Sequence, residues 1–133
     1  IYNPLNFTIT SEAERRITLT AIALKRYQLV HGKFPVALSG LAPEFVPSVP
    51  RDPIDGQPLR YRLMSNGNFL LYSIGQNDCD DGGDGSSKTI SPHFLGIWTR
   101  FDALDWVWPQ PASPADIQSF YAHLTRLSGF DLR

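Results

Sequence analysis

An acidic, glycine-rich run between Ile74 and Ser86 has the residue types best suited to chemistry in this sequence. It reads IGQNDCDDGGDGS. Calcium takes six to eight oxygen ligands from carboxylates, amides, carbonyls and water, in flexible geometry. Glycine lets the backbone curl so that carbonyl groups can turn inward. The run therefore predicts a cation-binding loop. The alternative is a solvated acidic turn, because carboxylates about 4 Å apart in water repel by only about 1 kcal/mol.

The acidic run does not follow the EF-hand pattern, the best-known calcium loop. If Asn77 is taken as position 1, Gly82 falls at position 6, as the EF-hand requires. The twelfth residue is then Lys88, where an EF-hand has a bidentate glutamate. Any cation site here must therefore have a ligand set of its own, and the candidate carboxylates are Asp78, Asp80, Asp81 and Asp84.

Three tryptophans are the second group with chemical potential. Trp98, Trp106 and Trp108 are large aromatic surfaces on which a sugar or a peptide can stack, and they are equally suited to a hydrophobic core. Trp106 and Trp108 are two positions apart, so in a strand they lie on one face. Exposure of both rings would favour ligand recognition, and burial would favour a structural role.

The residues give little support for an enzyme. Asp52, Asp55 and the acidic run offer paired carboxylates, but their spacing alone does not place them in one cleft. Cys79 lies among aspartates, a setting that opposes formation of the thiolate that a nucleophilic role requires. The sequence has no Gly-x-Ser-x-Gly element, phosphate loop or dinucleotide fingerprint. We therefore expect a protein that is not an enzyme.

Composition limits the classes of protein that remain. The chain has 133 residues, 42% hydrophobic and 19% charged, which predicts a single domain over 1–133 and excludes a disordered tail. Its net charge of −1 gives no basic field for nucleic acid. The single cysteine excludes an internal disulfide and a cysteine zinc cluster. Because the chain begins with Ile1 and has no apolar run near 20 residues, we expect any membrane anchor to lie outside it.

The elements that must position these residues begin with a long helix. Apolar residues at helical spacing, a capping-box pair at Ser11 and Glu14, and Gly32 after the last turn predict a helix from Ser11 to His31. Residues 1–10 are predicted to be extended. The proline-rich stretch 33–58 carries many large apolar groups, which predicts an ordered crossing over the core with one short helical turn at 38–41.

A hairpin and a second helix complete the prediction. Residues 59–63 and 69–74 are predicted strands joined by a type I′ turn at Asn66-Gly67. The near-continuous apolar run of the second strand predicts a central strand with both faces covered. Further strands are predicted at 94–101 and 105–108, and Ser113-Pro114 opens a last helix with an apolar face. We expect an α+β fold in which the long N-terminal helix packs on a small antiparallel sheet, with an extra C-terminal helix.

The order of these motifs resembles the globular domain of the major pseudopilins of type II secretion systems. The helix ends in His31-Gly32-Lys33-Phe34-Pro35, and an Asp52-Pro53-Ile54-Asp55-Gly56 segment leads into a strand with Arg60-Tyr61. Tyr72-Ser73-Ile74-Gly75 then precedes the acidic run, which is the most specific part of the likeness. Residues 11–86 form the matching core, and 87–133 are an extension without a counterpart. The chain also resembles C-terminal modules of larger envelope proteins.

The resemblance implies a calcium site in the acidic run. Matched by position, the ligands would be the carbonyl oxygens of Ile74 and Cys79 and the side chains of Asn77, Asp84 and Ser86. Asn77 stands where the family has aspartate, so one negative charge is lost. Further candidate ligands that would restore it are Asp78, Asp80 and Asp81.

The resemblance also implies a function. It indicates a non-catalytic structural module of the cell envelope, related to type II secretion and protein transport. Its partners would be other pilin-like or envelope proteins, with no nucleic acid, and it would touch a membrane only through a segment missing from this chain. Its expected location is extracytoplasmic, anchored to the inner membrane in the full-length protein. The alternative is a module that recognises a carbohydrate or peptide through Trp98, Trp106 and Trp108.

Overall fold

The long N-terminal helix begins earlier than the sequence pattern predicts. A computed structural model describes residues 4–85, 104–109 and 114–128, and its first helix, α1, spans Pro4–His31. The predicted start at Ser11 and the extended conformation of residues 4–10 are therefore wrong. Proline is favoured in the first turn of a helix, where its missing N–H has no partner to lose. Ser11 and Glu14, the predicted capping-box pair, lie inside the helix and not at its start.

One face of α1 supplies much of the hydrophobic core. Ala13, Ile17, Ala21 and Leu24 follow helical spacing and are buried, as predicted. Ile22 and Val30, two further apolar residues of α1, lie off this face and are exposed. The helix ends as predicted at Gly32, whose positive φ of 75° and N–H bond to the Gln28 carbonyl close the last turn.

The proline-rich segment after α1 is an ordered crossing, as predicted. It contains one short 3₁₀ helix, η1, at Leu38–Leu41, and both end residues of η1 are buried. Phe45, Val46 and Val49 are half-buried against the same core. The segment therefore adds apolar cover to the core.

A three-stranded antiparallel sheet packs on α1. Its strands are β1 (Arg60–Leu63), β2 (Phe69–Ile74) and β3 (Asp105–Val107), in the order β1-β2-β3. Leu71 of β2 belongs to the core that α1 shares, whereas Leu70 and Tyr72 lie against Gly83 of the acidic run. The predicted central strand, covered on both faces, is confirmed.

The turn between β1 and β2 differs from the predicted type I′ turn. Leu63 pairs with Phe69, and the Met64 N–H donates to the Asn68 carbonyl, so the register leaves a three-residue loop. Such loops form a type I turn followed by a left-handed residue. That residue is Gly67, with φ of 82°, and Asn66 does not have a positive φ. The sequence signal for a hairpin was right, but the strand register selected another turn.

The second helix, α2, spans Pro114–Ser128, as predicted. Ile117, Phe120 and Tyr121 of its predicted apolar face are exposed. The predicted strand at 94–101 lies outside the described residues. Within the described ranges, no helix is long and apolar enough to cross a membrane. The fold is α+β: a long N-terminal helix, a small antiparallel sheet and a short C-terminal helix.

Candidate functional site

A fully buried carboxylate, Asp52, lies where the proline-rich crossing meets the sheet. Its Oδ1 accepts hydrogen bonds from Ser73 Oγ at 2.8 Å and from the Ile54 N–H at 2.9 Å. Its Oδ2 accepts from the Ile74 N–H at 2.9 Å and lies 3.5 Å from Arg60 Nη1. Burying a charge is costly unless it is paired and hydrogen-bonded, and here both oxygens are engaged. Asp52 therefore joins the 51–58 loop to the end of β2.

Arg60 of β1 brings three aspartates together. Its Nη2 lies 2.6 Å from Asp55 Oδ2 and its Nη1 lies 3.1 Å from Asp55 Oδ1, a two-pronged contact. Its Nε reaches Asp80 Oδ2 at 3.4 Å, and Asp52 lies on its other side. The hydrogen bonds to Asp55 raise the pKa of Arg60 and lower the pKa of Asp55. A single guanidinium thus links the 51–58 loop, β1 and the acidic run.

Asp80 fastens the acidic run to β2. Its Oδ1 accepts from the Tyr72 hydroxyl at 2.9 Å and from the Gly82 N–H at 3.0 Å. The Gly82 N–H, together with Tyr72 and Arg60, holds the pKa of Asp80 below its ordinary value. Burial, followed by the bond to Asp80, raises the pKa of Tyr72 to about 12. Asp80 is therefore an ionised acceptor within the fold.

A second fully buried carboxylate, Asp105 of β3, holds the other half of the run. Its Oδ2 accepts from the Gly83 N–H at 2.8 Å and its Oδ1 from the Asp81 N–H at 3.4 Å. Its own N–H donates to the Asp84 carbonyl at 2.9 Å. Burial raises the pKa of Asp105, and the two backbone donors oppose that shift. Two carboxylates thus bind the acidic run to the sheet: Asp80, which belongs to the run, and Asp105, which belongs to β3.

The tip of the acidic run is curled by its own side chains. The Asn77 Oδ1 accepts from the Cys79 N–H at 3.1 Å, and its Nδ2 donates to Asp81 Oδ2 at 2.8 Å. Asp78 has a positive φ of 55°, which lets the chain reverse. Asn77 is therefore the residue around which this turn closes.

The predicted calcium ligands differ in their exposure to solvent. Ile74 is buried at the end of β2, whereas Asn77, Cys79 and Asp84 are exposed in the loop that follows. Ser86 lies outside the described residues. Among the residues that the structure describes, no three His, Cys, Asp or Glu side chains form a metal-binding group. A cation here would therefore depend on carbonyl and amide oxygens as well as carboxylates.

The carboxylates considered for catalysis do converge, but around Arg60. Asp52, Asp55 and Asp80 all contact this side chain, and Asp52 is fully buried. Every buried side-chain nitrogen and oxygen among the described residues has a hydrogen-bond partner. Arg60 thus joins the 51–58 loop, β1 and the acidic run through these three carboxylates.

The two tryptophans within the described residues, Trp106 and Trp108, do not form one exposed platform. Trp106 is buried in the core opposite Ser73, and Trp98 lies outside the described residues. Trp108 is half-buried and lines a cleft of about 280 Å³ with Phe34 and Phe69. The burial of Trp106 favours a structural role for that ring. Of the two tryptophans that the structure describes, Trp108 is the one that a ligand could reach.

The sequence pattern does not identify two residues of this site. Asp105 is only the first residue of a predicted strand, although a carboxylate next to Trp106 in an apolar strand is a signal for a buried acceptor. Arg60 and Arg62 occupy equivalent positions in the alternating sequence of β1. The sequence therefore does not show that Arg60 is the arginine that binds three aspartates. Comparisons with protein-family models, with curated proteins and with solved structures found no match for this chain.

Proposed function

We propose that this chain is a non-catalytic structural module of the cell envelope, pseudopilin-like and related to type II secretion. One observation carries the structural part: Asp52 and Asp105, both fully buried, are used as hydrogen-bond acceptors that hold loops to the sheet. A catalytic carboxylate must instead reach a substrate proton within hydrogen-bond distance. The family, the envelope location and the partners, other pilin-like or envelope proteins, rest on the sequence resemblance.

Calcium binding to the acidic run is part of the proposal. The donor set suits a hard cation, since it offers the carbonyls of Ile74 and Cys79, the Asn77 amide and the carboxylate of Asp84. Asp80 and Asp105 anchor the run, so the backbone that carries these oxygens is held in place before an ion arrives. Ser86 would complete the set. The bound ion would supply positive charge among the exposed aspartates.

The expected effect of calcium is thermodynamic. A ligand that binds the folded loop and not the unfolded chain adds stability by mass action, about 2.7 kcal/mol at 100 times its Kd. We expect a modest affinity because Asn77 carries one charge fewer than the aspartate of the family pattern. Magnesium should give a smaller effect, because it requires a tighter octahedron and retains its waters.

Thermal melting with and without calcium tests this part. Calcium should raise the melting temperature of the wild type, and Asp84→Ala should remove most of that increment. Glu44→Ala is the matched control, because Glu44 is an exposed acid outside the run and its loss should leave the increment intact. No heat in titration calorimetry at millimolar calcium, together with unchanged melting, would refute calcium binding.

A second candidate function is recognition of a carbohydrate or peptide at Trp108. The half-buried ring of Trp108 lies with Phe34 and Phe69 beside polar groups of Gln28 and Asn68. Aromatic faces with polar groups at their edge suit sugar rings. Quenching or enhancement of tryptophan fluorescence by neutral oligosaccharides, lost in Trp108→Ala, would support it. An unchanged spectrum across such a panel would oppose carbohydrate binding.

A further inference from the structure

A cleft on the opposite side of α1 from the Trp108 cleft combines positive charge with an apolar floor. We call it the basic cleft. It lies between α1 and residues 46–51 and has a volume of about 390 Å³. The side chains that define it are Arg15, Arg16, Leu19, Val46, Val49 and Arg51.

The three arginines of the basic cleft are held in place by the protein. Glu12 binds Arg15 Nε at 2.8 Å and Arg16 Nε at 2.6 Å. Arg16 Nη1 donates to the Arg51 carbonyl at 2.9 Å, and Arg51 Nη1 donates to the Gly56 carbonyl at 2.9 Å. A guanidinium has five N–H donors, more than these contacts use. The arginines are thus preorganised and can still donate to a ligand.

The local charge of the basic cleft is opposite in sign to that of the whole chain. Three arginines and Glu12 leave two positive charges there, on a protein whose net charge is −1. The bonds from Arg15 and Arg16 lower the pKa of Glu12 to about 2, so Glu12 stays ionised near neutral pH. Arg15 remains 60% exposed and Arg16 35% exposed. An anionic ligand complements this surface, because ionised carboxylates accept strong, charge-assisted hydrogen bonds from guanidinium N–H groups.

The apolar floor of the basic cleft indicates which class of anion fits it. Leu19 is 49% exposed, and Val46 and Val49 are half-buried beside it. An inorganic anion would leave this apolar surface in water, whereas an apolar side chain would cover it. We propose that the basic cleft binds an acidic peptide segment of a partner protein, with carboxylates at the arginines and an apolar side chain over Leu19.

Fluorescence polarisation with a labelled Glu-Glu-Leu-Glu-Glu peptide at low salt tests the proposal. Binding should weaken as salt increases, since exposed charges are screened. Arg15→Gln should weaken binding by about two- to five-fold, and Leu19→Ala by about three- to five-fold. The matched controls are Arg62→Gln on β1 and Leu29→Ala, which is exposed elsewhere on α1; both should bind like the wild type.

Several results would overturn the proposal. If Lys-Lys-Leu-Lys-Lys binds equally well, charge complementarity does not drive binding. If Arg62→Gln weakens binding as much as Arg15→Gln does, the basic cleft is not the binding site. If Glu-Glu-Gly-Glu-Glu binds as well and inorganic phosphate displaces both peptides, the cleft is a small-anion site without peptide recognition. Circular dichroism melting of each variant checks that a lost signal does not come from unfolding. The calcium-dependent melting of the acidic run is a separate measurement, so the two proposals can fail independently.

Discussion

Replacing Asp52 with asparagine should be among the most destabilising single-atom changes in this protein. The substitution keeps the shape of the side chain and one acceptor oxygen, which can still serve Ser73 and Ile54. It directs an NH₂ group toward the Ile74 N–H and Arg60, which are both donors. A hydrogen bond to a charged group contributes about 1.5–3 kcal/mol, and a buried donor without an acceptor costs about 1–3 kcal/mol. We expect Asp52→Asn to lower the free energy of unfolding by about 3 kcal/mol.

Asp55→Asn is the matched control for this change. It also removes one negative charge beside Arg60, but the Asp55 side chain is 26% exposed. Ion pairs near the surface contribute about 1 kcal/mol or less, because solvent screens them. The difference between the two variants therefore measures the combined effect of burial and of the hydrogen bonds that Asp52 accepts from Ser73 and Ile74. Ser73→Ala, which removes one donor to Asp52, should fall between them at about 1 kcal/mol.

Urea denaturation followed by circular dichroism provides the measurement. With a denaturant slope of about 1–3 kcal/mol/M, a loss of 3 kcal/mol lowers the midpoint by about 1–3 M. The slope itself should stay the same, since the folded surface does not change. An Asp52→Asn variant within 1 kcal/mol of the wild type, with an unchanged slope, would refute the role assigned to this carboxylate.

Three further predictions concern packing and charge. Gly83→Ala should destabilise the protein by about 1–3 kcal/mol, because Gly83 has a positive φ and the added Cβ would lie 2.8 Å from Leu70 Cδ2. Gly82→Ala, which has a similar φ but open space around the added Cβ, should cost less in the same urea assay. Trp106→Ala should cost about 3–5 kcal/mol through the cavity it leaves, and a loss below 1 kcal/mol would contradict its place in the core. The carboxyl of Glu12 should titrate at about 2 when followed by NMR, and a midpoint near 4.5 would show that its arginine contacts are absent in solution. Because this pKa is lowered on folding, the stability that Glu12 contributes should be present above about pH 4.5 and lost as the pH falls toward 2, with Glu12→Gln showing no such loss.

Much of the fold was predictable because its elements carry strong local signals. The helical spacing of Ile17 and Leu24 and the glycine at 32 fixed the buried face and the end of α1. The start of α1 was not predictable in this way, since Leu5, Phe7 and Ile9 alternate as they would in a strand and are exposed in the helix. Alternation of apolar residues predicts a strand only when one face of that strand is buried. Because these residues are exposed, their pattern predicts neither a strand nor the buried face of a helix.

The candidate site was predicted less well, because its geometry depends on strand register and long-range contacts. The acidic run was identified from composition, but composition treats Asp78 and Asp80 alike. Only the pairing of Arg60 with Tyr72 across β1 and β2 places a guanidinium and a hydroxyl beside Asp80. The acceptor role of Asp105 likewise requires β3 to lie next to β2. No spacing rule in the sequence contains either fact.

The double attachment of the acidic run has a consequence for hydrogen exchange. The amides of Gly82 and Gly83 are near the surface, yet the Gly82 N–H donates to Asp80, which Tyr72 of β2 holds, and the Gly83 N–H donates to Asp105 of β3. Releasing Gly83 removes a hydrogen bond from the buried Asp105 side chain, and releasing Gly82 removes one from Asp80, which also accepts from Tyr72. These amides should therefore open together with the end of β2, as one cooperative unit, and exchange far more slowly than their surface position suggests.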